Sequence, residues 1–166
     1  SFSSFLLTLP VPPEIDPHAA TVVLDRLQDA GNVGAILRSA SAFGFKQIVA
    51  IKGTAGLWSP KVLRAGMGAH FGLQLIESAN AENLQSLKLP LLGTDVHEGP
   101  YLHDLLKQGG LTQKCAWVMG HEGQGVSAEI MALVTHKVRI AQPGGEESLN
   151  AAAAAAICLH ASATSM

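Results

Sequence analysis

The sequence is short of charge. Lysine, arginine, aspartate and glutamate make up only 14% of its 166 residues, whereas hydrophobic residues make up 48%. This composition excludes a disordered chain. It predicts one compact domain whose apolar surface is covered, either in a sheet buried on both faces or at a subunit interface. The net charge of -2 excludes a protein that holds nucleic acid by bulk positive charge, so any such contact must be local.

Cysteine is scarce as well, since Cys115 and Cys158 are the only two, and both stand among apolar residues. Such thiols are typical of buried positions in a reduced compartment, so we expect free cysteines and a cytoplasmic protein.

Spacing typical of metal ligands is also missing. His121 and Glu122 begin an H-E-x-x-H pattern, but Gly125 stands where the second histidine would be, and we expect no metal.

Neither end of the sequence reads as a membrane segment. Polar side chains interrupt the segment 148–166, and many of its apolar residues are weakly hydrophobic alanines, which excludes a membrane span. The first residues lack the basic stretch of a signal peptide. Four prolines fall within residues 10–17, which favours an extended linker over residues 1–20 and a folded domain over residues 21–166.

Short apolar runs alternate with helical patterns along this domain. The runs predict strands over residues 21–27, 46–52, 73–78, 89–95, 115–120 and 136–142. Apolar residues three and four apart predict helices over residues 32–43, 60–71, 81–87, 101–107 and 128–134, and six alanines at residues 151–156 predict a last helix. The alternation predicts an α/β fold, a mostly parallel sheet flanked by helices that binds ligands beyond the carboxyl ends of its strands.

The few charges are unevenly distributed. No acid lies between Ala30 and Ile76, a stretch whose basic residues are Arg38, Lys46, Lys52, Lys61 and Arg64. On charge alone, this stretch is either a solvated face with an accidental bias or a patch that binds phosphate. The alanine-rich last helix is also open to two interpretations, a tight core and a dimer contact.

Three segments rich in glycine and polar residues lie where strands should give way to loops or helices. In residues 29–45, Asn32 opens a helix and Arg38 follows. In residues 119–127, Glu122 stands among glycines, and in residues 139–154, Ser148 and Asn150 stand at the start of the alanine helix. Taken singly, such asparagines and serines are most often helix caps. Because all three segments follow strands of one small sheet, we expect them to converge on one crevice.

Together, the three segments resemble the SpoU family of RNA ribose 2'-O-methyltransferases, within the SPOUT superfamily of knotted S-adenosylmethionine enzymes. The pattern N-x-G-A-I-x-R-S-A-x-A-F-G spans residues 32–44, the glycine and glutamate loop spans residues 120–125, and S-L-N spans residues 148–150. The motifs occur in the order and spacing of the family, and the likeness covers residues 21–163.

The resemblance implies a trefoil knot in the C-terminal part and S-adenosyl-L-methionine as cofactor, bound bent in the knotted loops largely through backbone groups. By position, the implied cofactor-binding residues are Thr94, Met119, Gly120, Ile140 and Leu149. It further implies RNA as a partner and a homodimer that pairs beside the knot. Many relatives carry a small N-terminal RNA-binding domain, so residues 1–20 are either a linker or the end of such a domain.

The resemblance also implies the catalytic residues, which are Arg38, Asn32, Glu122, Ser148 and Asn150. Because the pKa of arginine is too high for easy deprotonation, we expect Arg38 to be anchored on phosphate and to stabilise the alkoxide that develops on the ribose 2'-oxygen; base action is the alternative. Asn32 and Glu122 are expected to hold Arg38 and the loops. Ser148 and Asn150 are expected to position the ribose.

The implied reaction is methyl transfer to the ribose of ribosomal or transfer RNA, and two other functions are possible in principle. A non-catalytic RNA-binding module would keep the fold, but it would have no need of the polar residues in the three motifs. A nucleotide-dependent oxidoreductase would need a dinucleotide fingerprint. Gly66, Gly68 and Gly72 are similar to one, but they follow a helical pattern and the last interval is too long.

Overall fold

The computed structural model describes residues 13–145 and 149–165 of the chain. Its strands are β1 (Thr21–Asp25), β2 (Gln47–Ile51), β3 (Gln74–Ala79), β4 (Leu91–Thr94), β5 (Ala116–Gly120) and β6 (His136–Val138). Its α-helices are α1 (Ala30–Ala42), α2 (Pro60–Gly66), α3 (Leu102–Lys107), α4 (Ala128–Met131) and α5 (Ala151–Ala163). Two 3-10 helices span Ala69–Gly72 and Ala81–Ser86.

The strands form one sheet in the order β3-β2-β1-β5-β4-β6, and every neighbouring pair is parallel. This order confirms the predicted α/β class with a parallel sheet. β1 is central and buried along its whole length. Val22 and Leu24 enter one hydrophobic core and Val23 enters the other, since side chains alternate along a strand. Burial on both faces explains why the strands are continuous apolar runs.

All six predicted strands are present, and the differences lie at the ends of the elements. β6 stops at Val138, short of residue 142, because Arg139 leaves the sheet and makes only an isolated bridge to Tyr101. The helix predicted over residues 60–71 ends at Gly66. Met67 adopts a left-handed backbone conformation, with φ of 51°, that cannot continue an α-helix.

The caps of the two long helices were predicted with mixed success. Asn150 caps α5 as expected, since its side-chain oxygen accepts hydrogen bonds from the backbone N–H groups of Ala152 and Ala153. The prediction that Asn32 opens α1 is wrong. Asp29 is the N-cap, and its carboxylate accepts the N–H of Asn32 at 2.9 Å. Apolar periodicity begins only at the first buried position of a helix, so it does not detect the exposed first turn.

Helix α5 returns to the middle of the sheet, where it packs against α1 and β5. Its position is defined by Ser162, whose hydroxyl oxygen accepts the indole N–H of the fully buried Trp117 at 2.7 Å. The passage from β6 to α5 includes residues 146–148, which lie outside the described part of the chain. The trefoil knot is a property of the whole chain path, so it stays an implication of the resemblance.

The described part of the predicted linker lies against the sheet. Gln47 of β2 accepts the backbone N–H of Asp16 at 2.8 Å and donates its amide to the Asp16 carbonyl at 3.0 Å. Ile15 packs against the hydrophobic core that contains Val23. Residues 1–12, which hold part of the predicted linker, lie outside the described residues.

Both cysteines are buried and free, as predicted. Burial raises the pKa of the Cys115 thiol to about 11 and that of the Cys158 thiol to about 12, so both remain protonated at neutral pH. In the two described ranges, no helix combines the length and apolar character needed to cross a bilayer. The same residues include no group of three or more histidine, cysteine or carboxylate side chains arranged to hold a metal ion.

Candidate active site

Two adjoining cavities open where β4, β5 and β6 end. Each has a volume of about 680 Å³, and their walls share Thr94, Val96, Leu149 and Ala154. We call the one lined by Asp29, Asn32, Glu122 and Asn150 the polar cavity, and the one lined by Tyr101, Arg139 and Ile140 the aromatic cavity. The crevice thus lies beyond the carboxyl ends of parallel strands, where ligands bind in open α/β sheets.

Glu122 joins the second segment to the first. Its carboxylate accepts the backbone N–H of Asp29 at 3.0 Å and that of Gln28 at 3.1 Å, although Glu122 lies more than 90 positions after both residues in the chain. Partial burial acts to raise the pKa of the Glu122 carboxyl, but these backbone N–H groups outweigh it and the pKa lies below its ordinary value. Glu122 is therefore an anionic anchor for the loop that follows β1.

Asn150 joins the third segment to the first. Its side-chain N–H donates to the side-chain oxygen of Asn32 at 3.0 Å, while its own oxygen caps α5. Asn32 lies in the first turn of α1, where the Asp29 carboxylate accepts its backbone N–H. Hydrogen bonds thus run without interruption from Glu122 through Asp29 and Asn32 to Asn150, and all four residues face the polar cavity.

All five residues implied to bind the cofactor line the crevice. Met119 and Gly120 border the polar cavity, Ile140 borders the aromatic cavity, and Thr94 and Leu149 border both. Gly120 has a steric reason to be glycine. A Cβ atom added there would overlap the backbone of residues 125 and 126, so the loop after β5 folds back directly over the end of that strand.

Arg38 and Ser148 are the two predicted catalytic residues that the structure does not place in the crevice. Arg38 is exposed on α1, about 9 Å along the helix axis from Asn32 at 1.5 Å per residue. Within the described residues its guanidinium makes no ion pair or hydrogen bond, so the prediction that Asn32 and Glu122 hold Arg38 is not reflected in a contact. Ser148 lies outside the described residues.

Asp25 and Arg26 support the site and were missed by the sequence analysis. The Asp25 carboxylate is fully buried, and it accepts the backbone N–H of Ser127 at 2.6 Å and the guanidinium of Arg26 at 3.1 Å. Arg26 also donates to Gln124 at 3.1 Å and to the Gly125 carbonyl at 3.4 Å. The Asp25–Arg26 pair therefore fixes the loop after β5 to the end of β1. The only sequence signal for this pair is a charged residue at the end of an apolar strand.

The loop after β4 forms the far wall of the aromatic cavity. The Asp95 carboxylate accepts the backbone N–H groups of His97 at 2.7 Å and Glu98 at 3.0 Å, and chiefly the first of these lowers the pKa of Asp95. The Arg139 guanidinium lies 4.2 Å from the centre of the Tyr101 ring, a cation–π contact. Sequence analysis missed this wall, because Asp95 and Tyr101 belong to no motif and Arg139, at the start of the third segment, was given no role.

The fold and the crevice define an α/β domain with a small-ligand site at the ends of its central strands. The model of the SpoU rRNA Methylase family matches residues 19–160, and the chain belongs to this family. The chain is 38% identical over 152 residues to an uncharacterized tRNA/rRNA methyltransferase of Synechocystis, with 87% of the chain and 53% of that protein covered. It is 30% identical to the 23S rRNA (guanosine(2553)-2'-O)-methyltransferase RlmP of Bacillus subtilis, covering 84% and 56%.

Solved structures agree with this assignment. The SpoU methyltransferase AviRb of Streptomyces viridochromogenes, in complex with AdoMet, superposes with a TM-score of 0.76 and 28% identity, covering 90% of this chain and 61% of that one. An AdoMet-bound rRNA methyltransferase of Sinorhizobium meliloti gives a TM-score of 0.77 and 26% identity, covering 89% and 57%. The chain spans a little over half the length of the curated relatives cited above.

Proposed function

We propose that this chain transfers a methyl group from S-adenosylmethionine to a ribose 2'-hydroxyl of ribosomal or transfer RNA. The observation that carries the proposal is the hydrogen-bonded series Glu122–Asp29–Asn32–Asn150, which brings all three family motifs to one wall of one crevice. A domain that had kept only the fold would have no reason to join these polar side chains beside a cavity.

The residues of the crevice fit this cofactor. Each cavity falls within the range of roughly 300–1,000 Å³ typical of small-molecule sites. The loop after β5 packs closely over Gly120, and Gly120, Gly123 and Gly125 line the polar cavity without side chains that would fill it. Asp29 and Glu122 give the polar cavity negative charge, which suits a cationic sulfonium. When bound, S-adenosylmethionine supplies an electrophilic methyl group whose departure leaves a neutral thioether.

The chain's own residues must orient the ribose and stabilise its oxygen as the proton leaves. Asn150 and Asn32 hold each other at the mouth of the polar cavity and supply neutral amide groups for the ribose hydroxyls. The Glu122 carboxylate is occupied by backbone N–H groups, so its role is to position the loop rather than to accept the proton. Ser148 is proposed to complete the ribose contacts.

Arg38 is proposed to act from the RNA side of the crevice. Its exposed guanidinium is available to a phosphate of the bound RNA, and a fixed cation beside the reacting 2'-oxygen stabilises the developing alkoxide. As the bond from the 2'-oxygen to the methyl carbon forms, the carbon–sulfur bond breaks, the thioether leaves neutral and the hydroxyl proton passes to solvent water, so orientation and this charge suffice without a metal ion.

Methyl transfer is tested with tritiated S-adenosylmethionine and total RNA, followed by mapping of ribose positions that resist alkaline cleavage. Arg38→Ala should lower transfer by more than 100-fold, a factor typical of losing one transition-state donor, and leave cofactor affinity within about twofold. Arg38→Lys keeps the charge and serves as the matched control. Cofactor binding without transfer to any RNA would favour the non-catalytic module, and absence of cofactor binding by a folded chain would refute the proposal.

We also propose that the chain works as a cytoplasmic homodimer that uses the outer face of α5. Ile157 is exposed there, and the ring of the exposed His160 packs edge-on against Phe43, the residue that caps the C-terminal end of α1. The reduced state of both cysteines supports the location. Light scattering should give twice the monomer mass, and Ile157→Glu should halve it; a monomeric wild-type chain at tens of micromolar would contradict the dimer.

A further inference from the structure

The surface around α2 carries unusually exposed large side chains. Trp58 is 54% exposed, Met67 70% and Phe71 92%, and all three lie on α2 or on the segments that flank it. Lys61 and Arg64 project from the same helix and are exposed as well. We call Trp58, Lys61, Arg64, Met67 and Phe71 the α2 surface. None of these five residues lines either cavity of the crevice.

Packing contacts hold Trp58 and α2 in place. Trp58 packs on the ring of the buried His70, with 5.2 Å between ring centres, and His70 is held by a 2.7 Å hydrogen bond to the Leu57 carbonyl. On its inner side α2 packs directly on α1. A Cβ atom at Gly34 of α1 would overlap Ala65 of α2.

The charge of the α2 surface is of one sign. Lys61 and Arg64 are three residues apart and therefore neighbours on the helix. Within the described residues neither forms an ion pair. The sequence from Ala30 to Ile76 has no acid, and Glu77, the first beyond it, has its carboxylate bonded to the backbone N–H of Leu57 at 3.1 Å. A cationic helix between two exposed rings offers both phosphate contacts and stacking platforms.

We propose that the α2 surface binds a single-stranded stretch of the RNA substrate, with Trp58 and Phe71 stacking on bases and Lys61 and Arg64 contacting phosphates. This inference rests on the proposed function. Helix α1 connects the α2 surface to the crevice, because α2 packs on α1 at Gly34, two residues after Asn32 of the polar cavity and one helical turn before Arg38. A second copy of the chain fits less well, since an isologous contact would bring Lys61 and Arg64 against the same cations of the partner.

Tryptophan fluorescence tests the stacking directly. The chain has two tryptophans, and Trp117 is fully buried, so quenching by an added ligand reports on Trp58. A single-stranded 20-nucleotide RNA of mixed sequence should quench the emission, and the quenching should be lost in Trp58→Phe. In a filter-binding assay, Trp58→Ala and Phe71→Ala should each weaken binding of this RNA by about 5- to 150-fold.

Removal of charge tests the phosphate contacts. Removal of two contacts in Lys61→Ala/Arg64→Ala should reduce the slope of log K against log salt by about 1.4, since each single-strand contact contributes about 0.7. Lys88→Ala/Lys107→Ala, which removes two exposed lysines outside the α2 surface, is the matched control and should change neither affinity nor slope. Circular dichroism and calorimetric titration with S-adenosylmethionine should show all variants folded and able to bind cofactor.

The outcomes separate this inference from the function on which it rests. If RNA affinity and quenching are unchanged in the Trp58 and Phe71 variants and methyl transfer is intact, the α2 surface does not bind RNA and the proposed function still stands. A loss of dimer mass in Trp58→Ala would show instead that the α2 surface is a contact between subunits. If the wild-type chain fails to transfer methyl groups but its RNA binding still depends on Trp58, the surface stands and the proposed function fails.

Discussion

The side chains of Asn32 and Asn150 form a 3.0 Å hydrogen bond across 118 positions of the chain. Asn150 uses one end of its amide to cap α5 and the other to reach the first turn of α1. The bond therefore couples the placement of the C-terminal helix to the loop after β1, and both elements border the polar cavity. Asparagine suits this position because it carries a donor and an acceptor on one short side chain.

Asn150→Ser separates these two tasks. Serine caps helices as well as asparagine does, but its side chain is too short to reach Asn32, so the free energy of unfolding should fall only by the lost hydrogen bond, about 0.5–1.5 kcal/mol. Because Asn32 then loses the contact that holds it for the ribose, kcat/KM should fall by about 2- to 12-fold, the same free energy. Asn150→Ala, which also loses the cap, should destabilise the chain by about 1 kcal/mol more in urea titrations. Full activity in the serine variant would show that the Asn32 bond is dispensable.

Glu122 should make stability depend on pH. Its pKa in the folded chain lies below the reference value of 4.5, so the carboxylate stabilises the folded state above that pH, and the contribution is lost as the pH falls through the folded-state pKa. Urea unfolding should therefore show Glu122→Gln less stable than wild type by an amount that is constant near neutrality and shrinks below about pH 4.5. Glu129→Gln, at an exposed position of α4, is the control. A difference independent of pH would contradict the anchor role.

Asp25→Asn should loosen the loop after β5. The Ser127 N–H and the Arg26 guanidinium use different oxygens of the carboxylate, and an amide places a non-accepting NH2 group where one of them was, so one donor loses its partner. We expect a loss of about 1–3 kcal/mol in the free energy of unfolding and weaker cofactor binding by calorimetry. Arg26→Lys keeps the charge but not the forked contact with Gln124 and Gly125, and it should lower the free energy of unfolding by less than Asp25→Asn does. Equal stability of Asp25→Asn and wild type would show that the carboxylate is not needed.

Gly120→Ala should damage the cofactor site. Its methyl group would meet the backbone of residues 125 and 126, which cannot move aside as a flexible side chain can, and such overpacking costs about 1–3 kcal/mol. Calorimetry should show weaker S-adenosylmethionine binding. Gly123→Ala is the matched control in the same loop, since a Cβ there meets only the His121 ring at 3.6 Å, an ordinary contact. Equal cofactor affinities of the two variants would contradict a steric role for Gly120.

The α/β class and the strands followed from sequence because the physical signal is local. A strand buried on both faces of a parallel sheet must be apolar along its length, as Val22, Val23 and Leu24 are, and such runs are visible without any knowledge of neighbours. The convergence of the three motifs also followed, since loops at the carboxyl ends of parallel strands meet at one edge of the sheet. The roles of Arg38 and Ser148 came from family resemblance alone.

Helix boundaries and the contacts between motifs were decided only in three dimensions. Asp29 rather than Asn32 caps α1, because a cap depends on backbone angles that apolar spacing does not report. The pairing of Asp25 with Arg26 and Ser127, and that of Asn32 with Asn150, join residues brought together by strand order and by the return of α5. Sequence determined which side chains could form hydrogen bonds. The tertiary structure decided their partners, since a polar group removed from water bonds to whatever the packing places within about 3 Å.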